Sequence, residues 1–414
     1  MVRVLRVRLG SVIVVTAAAF LAGGASRCGG EKAVSQPTPQ PTPRFSLLSV
    51  SKRQIVDDQG APVRLRGVNL GGWLVKEGYI LHFPGPAYDA PSEIDAAIRD
   101  LAGNDLGEQL LAEHRDQWIG EADLAEVAAL GFNSVRLPLH YRLLWDFDAG
   151  RPREDGLAFL DTVVGWCERH HLWIVLDLHC APGGQNAGNI SDSDGTARLF
   201  GNARNEQATI ALWRTLAARY AGRPAVAGYD LLNEPVWSDG SAIEPLYRRI
   251  VAAIREVDPN HLIVIEGNTW DTDFSIFSAP VDRRLVYSFH KYWNDTTLDS
   301  ISAYLSFSTR YNVPLWLGET GENNNTWYQQ TLTLMRDNDI GWCFWPWKKV
   351  STDNCPLSVE PPAGTFELIS NHLNGNGPRP TAEQTATAWR AMLTAAQPTN
   401  CKRNQSVIDL LVSY

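Results

Sequence analysis

AVAGYDLLNEP, residues 225–235, begins as an apolar run and ends on an amide, a carboxylate and a proline. Residues 225–232 have the length and the near-continuous apolar character of a strand buried on both faces. Pro235 has no N–H to give to a ladder, so it stops the strand where the charge arrives. Seven further runs have the same look: VRLRGVNL (63–70), FNSVRLPL (132–139), LWIVLDLH (172–179), HLIVIEG (261–267), RLVYSFH (284–290), VPLWLGE (313–319) and IGWCFWPW (340–347). Stretches with apolar residues at helical spacing lie between them, among them 121–130, 157–170, 206–221 and 241–257. Eight strand–helix units in about 350 residues predict an α/β fold, a (β/α)8 TIM barrel with loop insertions. An open doubly wound sheet is disfavoured, because no strand leads into a Gly-rich phosphate loop. QIVDDQGAPVRLRG (54–67) predicts an N-terminal β-hairpin turning at DDQG. Residues 85–118 read as an insertion after the first strand, and TAEQTATAWRAMLTAA in the C-terminal tail reads as a helix.

In such a barrel the site lies at the C-terminal ends of the strands. The ends read, in order, Arg66 and Asn69; Arg136 and His140; Asp177 and His179; Asn233 and Glu234; Glu266; His290 and Tyr292; Glu319; and Trp345 with Trp347 and Lys348. A polar residue at every strand end is hard to explain by packing, since an unpaired buried charge is costly. Two well-separated carboxylates, Glu234 and Glu319, suit general acid and nucleophile chemistry. Asn233 can both donate and accept, as a partner for a sugar hydroxyl must. His140 reads as structural, and Glu266 as salt-bridged or in contact with a hydroxyl rather than as a third catalytic carboxylate. Trp73, Trp270 and Trp293 are each either core or stacking platforms. SDSDGT (191–196) lacks the spacing and terminal glutamate of a calcium loop and reads as a plain loop.

The chain has 414 residues, 44% hydrophobic and 20% charged, with a formal net charge of -9, so a nucleic-acid partner is not expected. Fifteen tryptophans are enough to line a cleft with flat amphipathic surfaces. Arg3, Arg6 and Arg8 precede an apolar run and then AGGAS, which reads as an export signal over 1–28. Cys28 is where a lipid anchor would attach, though Arg27 suits that signal poorly and cleavage near Ala25 suits the sequence better. GGEKAVSQPTPQPTPR (29–44) is a Pro/Thr-rich tether, and 45–414 is the expected barrel domain. The expected location is extracellular or at the cell surface, as a monomer. Cys355 and Cys401 lie in late loop-like segments and form the expected disulfide, with Cys167, Cys180 and Cys343 as buried thiols.

RGVNLGGWL (66–74), GFNSVRLPLHY (131–141), LDLHCAPGGQN (176–186), YDLLNEP (229–235), FHKYW (289–293), LGET (317–320) and GWCFWPWK (341–348) together resemble glycoside hydrolase family 5. Within it the chain is most similar to the branch of exo-β-1,3-glucanases and endo-β-1,6-glucanases. The loop after Gln185 and the Thr320 that follows Glu319 depart from that branch. The resemblance implies a secreted retaining β-glycosidase acting on β-glucans, β-1,3 linkages favoured, without a cofactor or metal. It makes Glu234 the acid/base and Glu319 the nucleophile. It also has Asn233 bind the hydroxyl at C2, Arg136 keep Glu319 ionised, His179 and His290 line the reacting subsite, Tyr292 hydrogen-bond Glu319, and Trp345 form the floor. An endo-β-1,4-glucanase, another β-glycanase, a transglycosylase and a non-catalytic carbohydrate-binding barrel are the alternatives. The insertion 85–118 and the loop 181–205 are expected to close one end of the cleft.

Overall fold

The computed structural model describes residues 45–414; the proposed export signal, Cys28 and the tether lie outside the described residues. The eight runs form eight parallel strands: β1 (Arg66–Asn69), β2 (Ser134–His140), β3 (Trp173–Cys180), β4 (Val226–Asp230), β5 (Leu262–Ile265), β6 (Leu285–Lys291), β7 (Leu315–Gly321) and β8 (Gly341–Trp345). They close into a barrel in chain order, β8 pairing back onto β1. Each strand alternates its side chains, so every second residue faces the barrel axis. On β3 that series is Trp173, Val175, Asp177 and His179; on β6 it is Val286, Ser288 and His290. Apolar residues fill the N-terminal end, and polar residues stand at the C-terminal end. Small residues lie between them. A Cβ on Gly318 would sit 2.3 Å from Ser288 Oγ.

The bottom is a separate apolar cluster that includes Leu65, Trp173, Val175, Leu262, Val264, Val286 and Trp316. Leu48 and Ile55 from the N-terminal segment complete it. That segment corrects the expected hairpin. Its antiparallel pair is Ser49–Ser51 with Gln54–Val56, one turn upstream. The DDQG turn also forms, with Asp57 Oδ1 accepting from Gln59 N and Ala61 N. The chain returns at Pro62, which lacks an N–H, so its pairing with Val56 stays a single bridge.

Crossover helices cover the outside: α1 (Pro91–Ala102), α2 (Asn104–Gln117), α3 (Glu121–Ala129), α4 (Glu154–Arg169), α5 (Ala203–Tyr220), α6 (Ile243–Arg255), α7 (Ser302–Tyr311), α8 (Asn325–Asp337) and the C-terminal α9 (Ala382–Ala395). No crossover helix of comparable length joins β5 to β6. In its place is a turn in which Thr269, Trp270 and Asp271 all have left-handed backbone (φ 56°, 53° and 59°). The insertion helices α1 and α2 lean on the C-terminal tail: Trp389 donates to Leu110 O, and Arg390 pairs with Glu113. None of residues 85–118 lines the central cleft. Of the two segments expected to close it, only 181–205 reaches it, through Ile190.

The disulfide expectation is corrected too. Cys355 and Cys401 are buried free thiols, as are Cys167, Cys180 and Cys343. The antiparallel register sets Leu357 against Arg403 and Ser358 against Lys402. It thereby leaves Cys355 and Cys401 out of step across the ladder. Their Sγ atoms point instead at the carbonyls of Leu357 and Ala395.

Candidate active site

A cavity of about 490 Å³ opens at the C-terminal ends of the strands, and His179, Asn233, Glu234, His290, Tyr292, Glu319 and Trp345 all line it. Arg136 lies beneath them, fully buried. Its guanidinium reaches Glu319 Oε1 at 2.5 Å, Asp230 Oδ2 at 2.9 Å, Glu266 Oε1 at 3.0 Å, Asp177 Oδ2 at 3.2 Å and Asn233 Oδ1 at 2.9 Å. These groups come from four strand ends, those of β3, β4, β5 and β7, so one planar cation ties the top of the barrel together.

Glu319 is 4% exposed. Burial acts to raise its pKa, but His290, Arg136 and His179 outweigh it, and Tyr292 donates to Oε2 at 2.8 Å. The carboxyl is held below its ordinary value, as a nucleophile requires. Glu234 follows β4 in a left-handed conformation (φ 45°). Its amide donates to Glu266 Oε2 at 2.6 Å, and its carbonyl accepts from Asn186 Nδ2 at 2.9 Å. Gln185 Nε2 holds the carbonyls of His179 and Asn233 at 2.7 and 2.8 Å. The Gln-Asn pair of APGGQN thus clamps the backbone that aims Glu234. Oε1 of Glu234 meets His290 Nδ1 at 2.7 Å. Ligand atoms of Glu234, His290 and Glu319 all lie within 4.8 Å of one another, so the two carboxyls approach closely with one imidazole between them. The same is true of Glu266, Asp271 and His290. Such atoms could converge on a cation. However, Glu319 is already taken by Arg136 and Tyr292, and His290 by Glu234, which suits proton transfer.

His179 takes Asp177 Oδ2 at 2.7 Å on Nδ1 and stacks on Trp345 (centroids 5.5 Å apart, 4° between planes). Burial works against its charge, but Asp177 outweighs it, and its pKa is raised to about 8. Among the carboxyls around Arg136, His179 and His290, burial raises Asp177 and Asp271 above their ordinary values. Burial, reinforced by Glu266, lifts Asp230 to about 7 against the pull of Arg136.

Sequence reasoning missed Glu77. It is 2% exposed and lines the cavity, 3.7 Å from His179 Nε2, with Oε1 lacking a hydrogen-bond partner. Burial pushes it up to about 8, against the pull of the neighbouring His179. The signal was a lone acid in the apolar stretch GGWLVKEGYI, past the end of β1. Tyr79, also missed, meets Trp345 Nε1 through its hydroxyl at 2.5 Å.

Other strand-end residues lie elsewhere. Arg66 starts β1 rather than ending it. His140 is tied to Asp192 at 2.9 Å and accepts from Arg142 N, a structural role; Asp192 is itself part of the SDSDGT loop. Trp347 and Lys348 turn outward to Asp123, at 2.9 and 2.5 Å. Trp73 is core, whereas Trp270 and Trp293 are 47% and 74% exposed at the cavity.

The model of the cellulase family, glycosyl hydrolase family 5, matches residues 100–351. A β-xylosidase of Phanerodontia chrysosporium is 37% identical over 60% of this chain and 52% of its own length. A glucan 1,3-beta-glucosidase 2 of Wickerhamomyces anomalus is 29% identical over 55% of this chain and 56% of its own. The chain thus spans about half the length of these two relatives. The crystal structure of the catalytic domain of Thermobifida fusca endoglucanase Cel5A superposes with a TM-score of 0.52 at 15% identity, covering 84% of this chain and 98% of that one.

Proposed function

Because the chain belongs to the cellulase family, glycosyl hydrolase family 5, and is a glycoside hydrolase, we propose that it is a retaining β-glycosidase of β-glucans, acting on β-1,3 linkages before β-1,6 and β-1,4. The observation that carries this is the close approach of Glu234 and Glu319 across the cavity, with oxygens within 4.8 Å. A retaining pair has its carboxyl groups about 5–5.5 Å apart, whereas an inverting pair must leave room for a water. Glu319, held ionised by Arg136, attacks the anomeric carbon. Glu234 gives its proton to the departing oxygen, and a glycosyl ester on Glu319 results. Water then adds to the anomeric carbon, its proton passes to Glu234, and Glu319 leaves as a carboxylate. Asn233 holds the hydroxyl at C2, and Trp345 carries the sugar face. Glu77 hydrogen-bonds a glycone hydroxyl beside His179.

The glucan assignment is supported by the glucan 1,3-beta-glucosidase among the relatives and by the stretches RGVNLGGWL and APGGQN. The export signal over 1–28 supports secretion or surface attachment through Cys28, and a monomer suffices, since one chain holds the whole site. Reducing-sugar release from laminarin, pustulan, carboxymethyl-cellulose and xylan, with Glu319→Ala as control, tests the reading. Laminarin is expected first. Faster release from carboxymethyl-cellulose or xylan would overturn the linkage or the sugar.

A further inference from the structure

His290 connects the pair of catalytic carboxyls to a third one deeper in the barrel. Its Nδ1 meets Glu234 Oε1 at 2.7 Å and lies 3.6 Å from Glu319 Oε2. Its Nε2 edge faces the other way, 3.3 Å from Glu266 Oε1 and 3.8 Å from Asp271 Oδ2. Glu266 is committed elsewhere: Oε1 accepts from Arg136 at 3.0 Å, and Oε2 from the Glu234 amide at 2.6 Å. Asp271 is committed only by half. Its Oδ1 accepts from Gly267 N at 2.5 Å. Its Oδ2 and His290 Nε2 are both buried and, among the described residues, both lack a hydrogen-bond partner. A buried polar atom without a partner is costly, so two of them face to face call for an explanation. Their separation is longer than a hydrogen bond, and catalytic hydrogen bonds commonly run long without substrate and tighten with it.

The backbone is bent to bring Asp271 to this place. Thr269, Trp270 and Asp271 are left-handed in succession (φ 56°, 53° and 59°). Side chains other than glycine take that conformation only where the surroundings over-determine it. Here the turn is pinned by the Gly267 amide on Asp271, and by Asn268 and Asp273, each amide on the other's carbonyl at 3.0 Å. Gly267 cannot carry a side chain, because a Cβ would come within 2.6 Å of Asp273 O. The outcome is that Trp270 stays 47% exposed while Asp271, its neighbour, is fully buried behind His290. The ring is confined from β7 as well, where a Cβ on Gly318 would lie 3.3 Å from Nε2.

We propose that Asp271 is a positioning residue of the acid/base: by meeting the Nε2 edge of His290 it fixes the imidazole with its Nδ1–H on Glu234. The proposal rests on the reading of Glu234 as the proton donor. In the first step Glu234 loses its proton to the departing oxygen and becomes a carboxylate, and the Nδ1–H of His290 steadies that charge. In the second step the carboxylate takes a proton from the attacking water, and His290 keeps its own. No proton passes to Asp271, which acts only through the ring.

The test reads dependence on the leaving group. kcat/KM is measured on phenyl β-glucoside, whose leaving oxygen needs a proton, and on dinitrophenyl β-glucoside, whose leaving oxygen does not. Asp271→Ala should slow the phenyl substrate on the order of tenfold or more, a part of the roughly 10²–10⁴-fold that proton donation supplies, and should leave the dinitrophenyl substrate nearly unchanged. Asp271→Asn can still bond both the turn amide and the ring, and should restore most of the loss. Asp271→Ser keeps one oxygen for the Gly267 amide and removes the one that faces the ring. It should therefore match Asp271→Ala, and it carries the test if the alanine variant does not fold by circular dichroism. Glu234→Ala is assayed beside them. If Glu234→Ala discriminates between the two substrates while the Asp271 variants slow both alike or neither, the proposal is overturned and Glu234 remains the proton donor. If Glu234→Ala itself does not discriminate, the proton-donor reading fails and the proposal falls with it.

Discussion

The two ends of the barrel interior are made by the same strands and have opposite chemistry. At the bottom, Trp173, Val175, Val264, Val286 and Trp316 pack with no charged side chain among them. At the top, Arg136 binds Asp177, Asp230, Glu266 and Glu319 within 3.2 Å. The bottom stabilises through burial, which is roughly additive and tolerant of shape. The top is a buried ion network, whose desolvation cost offsets much of its Coulomb gain. Its justification is therefore chemical: Arg136, with His290 and His179, holds the Glu319 carboxyl below its ordinary value against the pull of burial.

The contrast can be broken most sharply by substitution at each end. Glu319→Ala should lower turnover on the order of 10⁴–10⁶-fold, and azide should restore it by giving the inverted glycosyl azide. Trp316→Ala at the bottom should cost roughly 3–5 kcal/mol of stability, read by urea denaturation, while activity per folded molecule is kept. Equal loss of activity at both ends would mean that the ends are not separate in function.

Glu234→Ala comes next. It should slow substrates with poor leaving groups roughly 10²–10⁴-fold and activated aryl glycosides far less, in parallel assays. If both classes suffer alike, Glu234 is not the proton donor.

A smaller effect should appear in stability against pH. Glu77 keeps its proton to about 8 when folded, against an ordinary value of 4.5, so between those values the folded state binds more protons and stability falls as pH rises. His179, raised from 6.5 to about 8, loses its contribution in the upper part of that window. Glu77→Gln cannot ionise, so denaturant unfolding between pH 5 and 8 should give a flatter slope than the wild type. An unchanged slope would place the titration elsewhere.

The barrel was legible because parallel strands buried on both faces leave apolar runs that no amphipathic helix imitates. The polar strand ends were legible for the same reason, as charges that interrupt those runs. Features set by loops were not. Glu77 reaches the cavity from beyond the end of β1, where no strand period points to it. The β5–β6 connection carries no helical pattern to read, because Thr269, Trp270 and Asp271 form a left-handed turn. The ladder lies one turn upstream of the expected hairpin because Pro62, after the DDQG turn, has no N–H to extend a pairing with Val56, whereas Ser49–Ser51 can pair fully with Gln54–Val56. Cysteine proximity likewise depends on a strand register that composition does not encode.

The account stands on Glu234 and Glu319 acting as a retaining pair, and the anomeric proton signal of the first product tests this directly. Proton NMR of hydrolysis at early times, before mutarotation, should show the β-anomer of the released sugar accumulating first. An α-anomer appearing first would mean direct displacement by water, and would contradict the roles given to both carboxyls.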